Sequence, residues 1–174
     1  MAASLMEKPT PVLVVDDDPI SRMVLSKLLT KLGYEPVISD NGANALERLA
    51  QDGSLGLVIS DWEMPVMDGL SFCRAVRQQY PDRLIYFVML TAREGWKDHL
   101  VALDSGADDF VSKPVDMAGL RARLQNGQRI LRLNQTLAER NQDLNRAHAL
   151  LSEQLALAQR MQVDLLPCER ELDQ

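Results

Sequence analysis

Basic side chains never cluster in this chain. Lys and Arg number 19 against 25 Asp and Glu, a net charge of −6. Residues 1–126 carry 13 basic and 18 acidic side chains, and 127–174 carry 6 and 7. Neither part offers the concentrated positive face that nucleic acid requires, so direct binding to it is not expected. Long apolar runs are also missing. The longest, LIYFVML, falls far short of the ~20 residues that span a bilayer, and the start, MAASLMEKPT, lacks a charged region followed by an apolar one. Membrane insertion is not expected, and a cytoplasmic location is. Cysteine is scarce: Cys73 and Cys168 lie far apart and in different predicted elements. Reduced thiols rather than a disulfide are expected, with Cys73 serving helix packing. What is present is a globular composition, 46% hydrophobic and 25% charged, over 174 residues. That length allows one domain of about 120 residues plus an extension.

From Pro11 to about Asn126, short β-like runs alternate with amphipathic stretches of helix length. Such alternation predicts βα units and a parallel sheet. Strands are expected near 11–15, 35–38, 57–60, 84–90 and 109–112, and helices near 19–32, 42–52, 69–80, 96–105 and from 116 onward. The fold class is therefore α/β, a doubly wound (βα)5 sheet behind a flexible start at 1–10. The first helix is the best marked. Asp18 is expected to cap it rather than bind metal, Pro19 suits its first turn, and Gly33 ends it. Ile20, Met23, Val24, Leu28 and Leu32 are expected to form its apolar stripe.

Between Gly127 and Pro167 there is no Gly or Pro, and Leu, Ala, Gln, Arg and Glu dominate, so one long helix should continue the fifth. With Ile130, Leu137, Leu144, Leu151, Ala158 and Leu165 at heptad position a, and Leu133, Ala147 and Met161 at d, the pattern is a coiled-coil seam. Arg140 and Gln154 fall at d, where they weaken the seam. A self-associating coil over 127–166 is the favoured reading. The alternative is an amphipathic helix packed on a further domain.

Polar residues follow the apolar runs: Asp16 and Asp17 after PVLVV, Asp61 after LGLVIS, Thr91 after LIYFVML and Lys113 after DFVS. In open α/β sheets the ligand site lies beyond the carboxyl ends of the strands, so these groups should converge. The motifs VVDDD, SDWEMPVMDG, MLTA and SKP stand in this order, with 30 residues from Asp61 to Thr91 and 22 from Thr91 to Lys113. Through them residues 11–126 resemble the receiver domain of two-component response regulators, whose fold is flavodoxin-like.

The resemblance implies a phosphoacceptor at Asp61, supplied by a sensor histidine kinase or phosphotransfer protein. It implies Mg²⁺, or Mn²⁺ in its place, on Asp17, Asp61 and the backbone carbonyl of Glu63, with Asp16 acting mainly through water. Lys113 would pair first with the acceptor and then with the phosphoryl group, Thr91 would donate to a second oxygen, and the bond before Pro114 would be cis. Met64 and Pro65 would stiffen the loop that holds Glu63, and Asp68 and Gly69 would support the turn into the third helix. Phe110 stands where the family has its switch aromatic, and Glu63 and Arg93 where it tunes phosphoryl lifetime.

A shift on the switch face would pass through the coil, as a homodimer, to an output domain beyond the tail at 167–174. AQRMQVDLLP resembles the segment before the catalytic domain of metal-dependent serine phosphatases, which makes a phosphatase the first expectation for that output and a diguanylate cyclase the second. Two other readings stay open. One is a haloacid-dehalogenase-like phosphohydrolase using Asp16 and Asp18 as its DxD; the other is a structural adaptor with an idle acidic pocket.

Overall fold

The computed structural model describes residues 9–92 and 104–164, with 156–164 by backbone alone. The chain divides between Arg132 and Leu133 into two compact units. The first is built on five parallel strands: β1 (Thr10–Val15), β2 (Tyr34–Ser39), β3 (Leu57–Asp61), β4 (Tyr86–Thr91) and β5 (Asp109–Ser112), in the order β2-β1-β3-β4-β5. Its helices are α1 (Pro19–Lys31), α2 (Gly42–Gln51), α3 (Gly69–Gln79) and the C-terminal helix Met117–Asp164. The helix expected near 96–105 falls largely outside the described residues.

Continuous apolar strands arise because both faces of the sheet are covered. Along β1, Leu13 and Val15 join one core with Ala45 and Leu49 of α2 and Phe72, Cys73 and Val76 of α3. Val12 and Val14 point the other way, into a core with Leu25 and Leu29 of α1 and Leu120 and Leu124 of the C-terminal helix. Cys73 is a packing residue, and burial pushes its thiol up, away from the reactive thiolate. Asp18, Asn41 and Asp68 cap α1, α2 and α3, each accepting a backbone N–H three residues on.

One expectation about α1 needs correction. Its buried face carries Leu25 and Leu29, flanked by the half-buried Leu28 and Leu32. Ile20, Met23 and Val24 are exposed at 65%, 50% and 56%. At 100° per residue these three lie on the side opposite Leu25 and Leu29, so the expected stripe took in the solvent side of one broad apolar arc.

The C-terminal helix is capped by Asp116, which accepts from the Gly119 N–H at 2.8 Å. Leu120 and Leu124 are fully buried. Gly127 lets the helix approach the sheet, since a Cβ there would strike the Tyr86 ring and Leu57. Leu131 covers Gly56, and Gln128 donates to Thr10 Oγ1 at 2.8 Å. The second unit continues the helix as a single element to Asp164. Among the described residues no helix is long and apolar enough to cross a membrane.

Candidate functional site

Parallel register brings the carboxyl ends of β1, β3, β4 and β5 level: Val15 pairs with Ser60, Asp61 with Leu90 and Thr91 with Ser112. The residues at those ends therefore meet. Asp16 and Asp17 leave β1, Asp61 closes β3 and Thr91 closes β4. Lys113 follows β5, with its N–H on the Thr91 carbonyl at 2.7 Å and a cis bond to Pro114. Because β1 leads outward to β2 while β3 lies on its other side, Asp16, Asp17 and Asp61 flank the switch point of the sheet.

Lys113 Nζ lies 2.9 Å from Asp61 Oδ1 and 3.2 Å from Asp16 Oδ2. Asp16 is wholly buried, and its second oxygen accepts the Asp18 N–H at 2.9 Å. Asp61 also accepts the Trp62 N–H at 2.9 Å. Carboxylate oxygens of Asp16, Asp17 and Asp61 lie within 4.8 Å of one another. Three carboxylates thus crowd one ammonium. Burial, with the negative charge of Asp16 added, raises the Asp61 carboxyl above its usual range although Lys113 pulls it down. Burial also works against the Lys113 ammonium, but bonds to Asp61 and Asp16 outweigh it and raise the amine. Burial leads the Asp61 shift and the neighbouring carboxylates lead the net shift of Lys113; with three carboxylates to one ammonium the site is short of positive charge, which a hard dication with oxygen ligands would supply.

The loop after Asp61 is built around backbone contacts. Gly69 donates to the Trp62 carbonyl at 2.9 Å, and a Cβ at 69 would collide with the Asp61 carbonyl. Only glycine fits there. Met67 N–H closes a three-residue turn on Pro65 O at 2.8 Å, with Val66 at φ 69. That geometry strains a β-branched residue, and Val66 is 88% exposed, so no packing requires it.

Sequence reasoning overlooked Arg22. Its Nη1 donates to the carbonyls of Asp16 at 2.6 Å and Asp17 at 2.8 Å, clamping the acidic turn. The available signal was its place one turn into α1, from which a long side chain reaches back to the loop. Trp62 was also missed as the donor to Asp61.

A cleft of about 110 Å³ is lined by Asp61, Trp62, Glu63, Thr91, Ala92 and Lys113. Thr91 is buried and Glu63 exposed. Phe110 is half-buried against the α2–α3 core, with the Arg123 guanidinium 5.7 Å from its ring centre. Arg93 lies outside the described residues. Asp18 stands apart from the cluster. Its carboxylate accepts the Ser21 N–H and hydroxyl, both at 2.8 Å, and the first of these bonds leads in lowering its pKa. The DxD reading fails on this point, because its second acid is spent on a helix cap.

The profile of the response regulator receiver domain matches residues 12–125. The chain belongs to this family. Receivers are regulatory phosphoacceptors of two-component signalling rather than classical enzymes, and the Asp16–Asp17–Asp61 triad is typical of their Mg²⁺ site. Among relatives, the response regulator MprA of Mycobacterium ulcerans is 40% identical over 114 residues, 66% of this chain and 48% of MprA. The chain therefore spans about half the length of that relative. Chemotaxis protein CheY1 of Helicobacter pylori is 32% identical over 114 residues, 65% of this chain and 92% of CheY1. Among solved structures, chemotaxis protein CheY4 of Vibrio cholerae is 31% identical with a TM-score of 0.63, covering 68% of this chain and 98% of that one. The receiver domain of an HD domain-containing protein from Pseudomonas fluorescens Pf-5 is 26% identical with a TM-score of 0.67, covering 78% and 98%.

Proposed function

We propose that Asp61 of this receiver, acting in the cytoplasm, accepts a phosphoryl group from a sensor histidine kinase or phosphotransfer protein. The observation that carries this reading is Lys113, whose ammonium bridges Asp61 and Asp16 at the mouth of a cleft walled by Thr91. An Asp61 carboxylate oxygen attacks the phosphorus of a phosphohistidine. A P–O bond forms, the P–N bond breaks, and the imidazole leaves with its electron pair and takes up a proton. Protein groups contribute alignment and charge more than covalent help. Trp62 N–H, bonded to Asp61 Oδ1, holds the carboxylate in place. Lys113 then transfers its contact from the carboxylate to a phosphoryl oxygen, and the Thr91 hydroxyl donates to another. Asp17, Asp61 and the Glu63 carbonyl, with Asp16 acting through water, would hold Mg²⁺ or Mn²⁺, whose charge would offset the repulsion between the two anions. Glu63 and Arg93 screen the acyl phosphate from water and lengthen its life.

The output travels through Phe110 and the C-terminal helix. When Thr91 is drawn to the phosphoryl group, the Phe110 ring turns inward and leaves Arg123, which sits on that helix. Leu133, Leu137, Leu144 and Leu151 are 58–67% exposed; the last three recur every seven residues and Leu133 takes the other seam position, a spacing that supports a homodimer whose geometry carries the signal. A serine phosphatase is the output proposed first, supported by the segment at 158–167 alone, ahead of a diguanylate cyclase.

Incubation of the full chain with Mg²⁺ and labelled acetyl phosphate, followed by peptide mapping, tests the acceptor. Label on Asp61, abolished in Asp61→Asn, is expected. Undiminished labelling of that variant, or no labelling of either protein, overturns the reading.

A further inference from the structure

Strand β2 is an edge strand, and a cleft of about 440 Å³ runs beside it, lined in part by Arg22, Ser39, Asp40, Asn44, Glu47 and Arg48. None of these residues lines the phosphoryl site. Its size is that of a small-molecule pocket. We infer that this cleft binds a small zwitterion, a molecule presenting a carboxylate beside an ammonium group, and that its occupancy reaches the acidic turn through Arg22.

The charges of the wall select this class of ligand. Two guanidinium groups and two carboxylates sum to zero, so a lone anion leaves the carboxylates opposed and a lone cation the guanidiniums. Asp40 is shared between the side-chain amides of Asn41 at 3.0 Å and Asn44 at 2.7 Å. The side chains of Glu47 and Arg48 have neither hydrogen bond nor ion pair among the described residues. They are free to take an ammonium and a carboxylate, and a guanidinium grips a carboxylate by two parallel bonds.

A second observation marks the same wall. Ser39 is 4% exposed, and its hydroxyl is the one buried side-chain oxygen or nitrogen among the described residues with no hydrogen-bond partner. Such an orphan costs about 1–3 kcal/mol unless a bound water or a ligand group pairs with it.

Arg22 joins cleft to site. A guanidinium has five N–H donors, and the two bonds to the Asp16 and Asp17 carbonyls both use Nη1. A carboxylate in the cleft would engage the remaining donors and change the aim of Nη1, shifting the turn that carries two of the three clustered carboxylates. The effect runs in both directions, since coupling between binding sites is reciprocal.

The test uses the uniformly ¹⁵N-labelled full chain, titrated without metal, with L-glutamine as the zwitterion and acetate as the anion-only probe. Saturable shifts at Ser39 and Asn44 are expected with L-glutamine, with acetate about tenfold weaker, the equivalent of one lost charge-assisted contact. Arg48→Ala and Glu47→Gln, both at exposed positions, should each weaken binding by about the same factor. In a Trp96→Phe background, the Mg²⁺ affinity read from Trp62 fluorescence should change about twofold or more on saturation with L-glutamine and stay fixed in Arg48→Ala. Shifts that do not saturate, acetate as tight as L-glutamine, or binding untouched by both variants would overturn the site. Binding with an unmoved Mg²⁺ affinity would overturn the coupling through Arg22. None of these readouts requires phosphorylation, so the outcome is separate from that of the acetyl phosphate experiment.

Discussion

The C-terminal helix treats its leucines in two ways. Up to Leu131 it spends them on the sheet: Leu120 and Leu124 are fully buried, and Ile130 and Leu131 are packed against the same core. From Leu133 to Leu155 the large apolar side chains are 58–67% exposed, although composition and helical propensity hardly change. A continuous backbone therefore hides a change of role. In the first stretch the helix stabilises the receiver; in the second its apolar side chains stand exposed. Soluble chains seldom leave so long a file of leucines in water without something to cover it.

The contrast breaks most simply through one leucine from each stretch. Leu124→Ala should cost about 2–5 kcal/mol, as for other fully buried leucines, lowering the urea midpoint independently of protein concentration. Leu137→Lys with Leu144→Lys should leave receiver unfolding within about 0.5 kcal/mol of wild type, as for exposed positions. That pair of changes should instead abolish concentration-dependent mass in sedimentation. If wild type is already monomeric at the same concentrations, the homodimer is wrong.

How far the sequence could be read follows the same division. Strands and acidic site were legible because local pattern and global burial agree there: a run such as PVLVV has no polar face to mislead, and each functional residue follows such a run directly. Along α1 the two diverge. Ile20, Met23, Val24, Leu25, Leu28, Leu29 and Leu32 surround much of the helix, and periodicity alone does not say which side meets the sheet. Arg22 was hard to read for another reason: its place one turn into α1 put it within reach of the loop, but its bonds go to backbone carbonyls, which no residue identity marks. The close approach of Gly69 to Asp61 is likewise a matter of three-dimensional path, although the Asp68–Gly69 turn around it was visible.

Smaller in effect is the electrostatic counterpart of the exposed leucines: the acidic site is short of positive charge as they are short of apolar cover. The Asp61 carboxyl is raised in the folded chain above its ordinary value of 3.8. The native state therefore binds that proton more tightly than the unfolded one. Its contribution to stability is complete below 3.8 and is lost as pH rises through the folded-state value. In EDTA, the stability of wild type minus that of Asp61→Asn should accordingly fall as pH rises over this window. Added Mg²⁺ at neutral pH should stabilise wild type and leave the variant largely unaffected. A difference that rises with pH in EDTA would mean that Lys113 outweighs burial and Asp16.

A modest effect on stability belongs to Arg123, which joins the docked stretch of the helix to Phe110. Arg123 Nη1 lies 2.8 Å from Asp109 Oδ1, and its guanidinium carbon lies 5.7 Å from the Phe110 ring centre. If Phe110 switches as proposed, it has no hydroxyl with which to hold an outward position, and the guanidinium would supply that contact. A cation–π contact is worth about 0.5–1 kcal/mol, and a partly exposed ion pair at most about 1 kcal/mol. Arg123→Ala should thus destabilise the fold by no more than about 2 kcal/mol. If the contact is lost when the ring turns inward, that loss falls on the inactive state alone, and affinity for beryllofluoride should rise by up to about fivefold. Arg123→Lys keeps the charge without the planar stack and should lie between the two. Equal beryllofluoride affinity in all three proteins would show that Arg123 touches the ring without holding it, and would leave the docked stretch of the helix with a purely structural part in the switch.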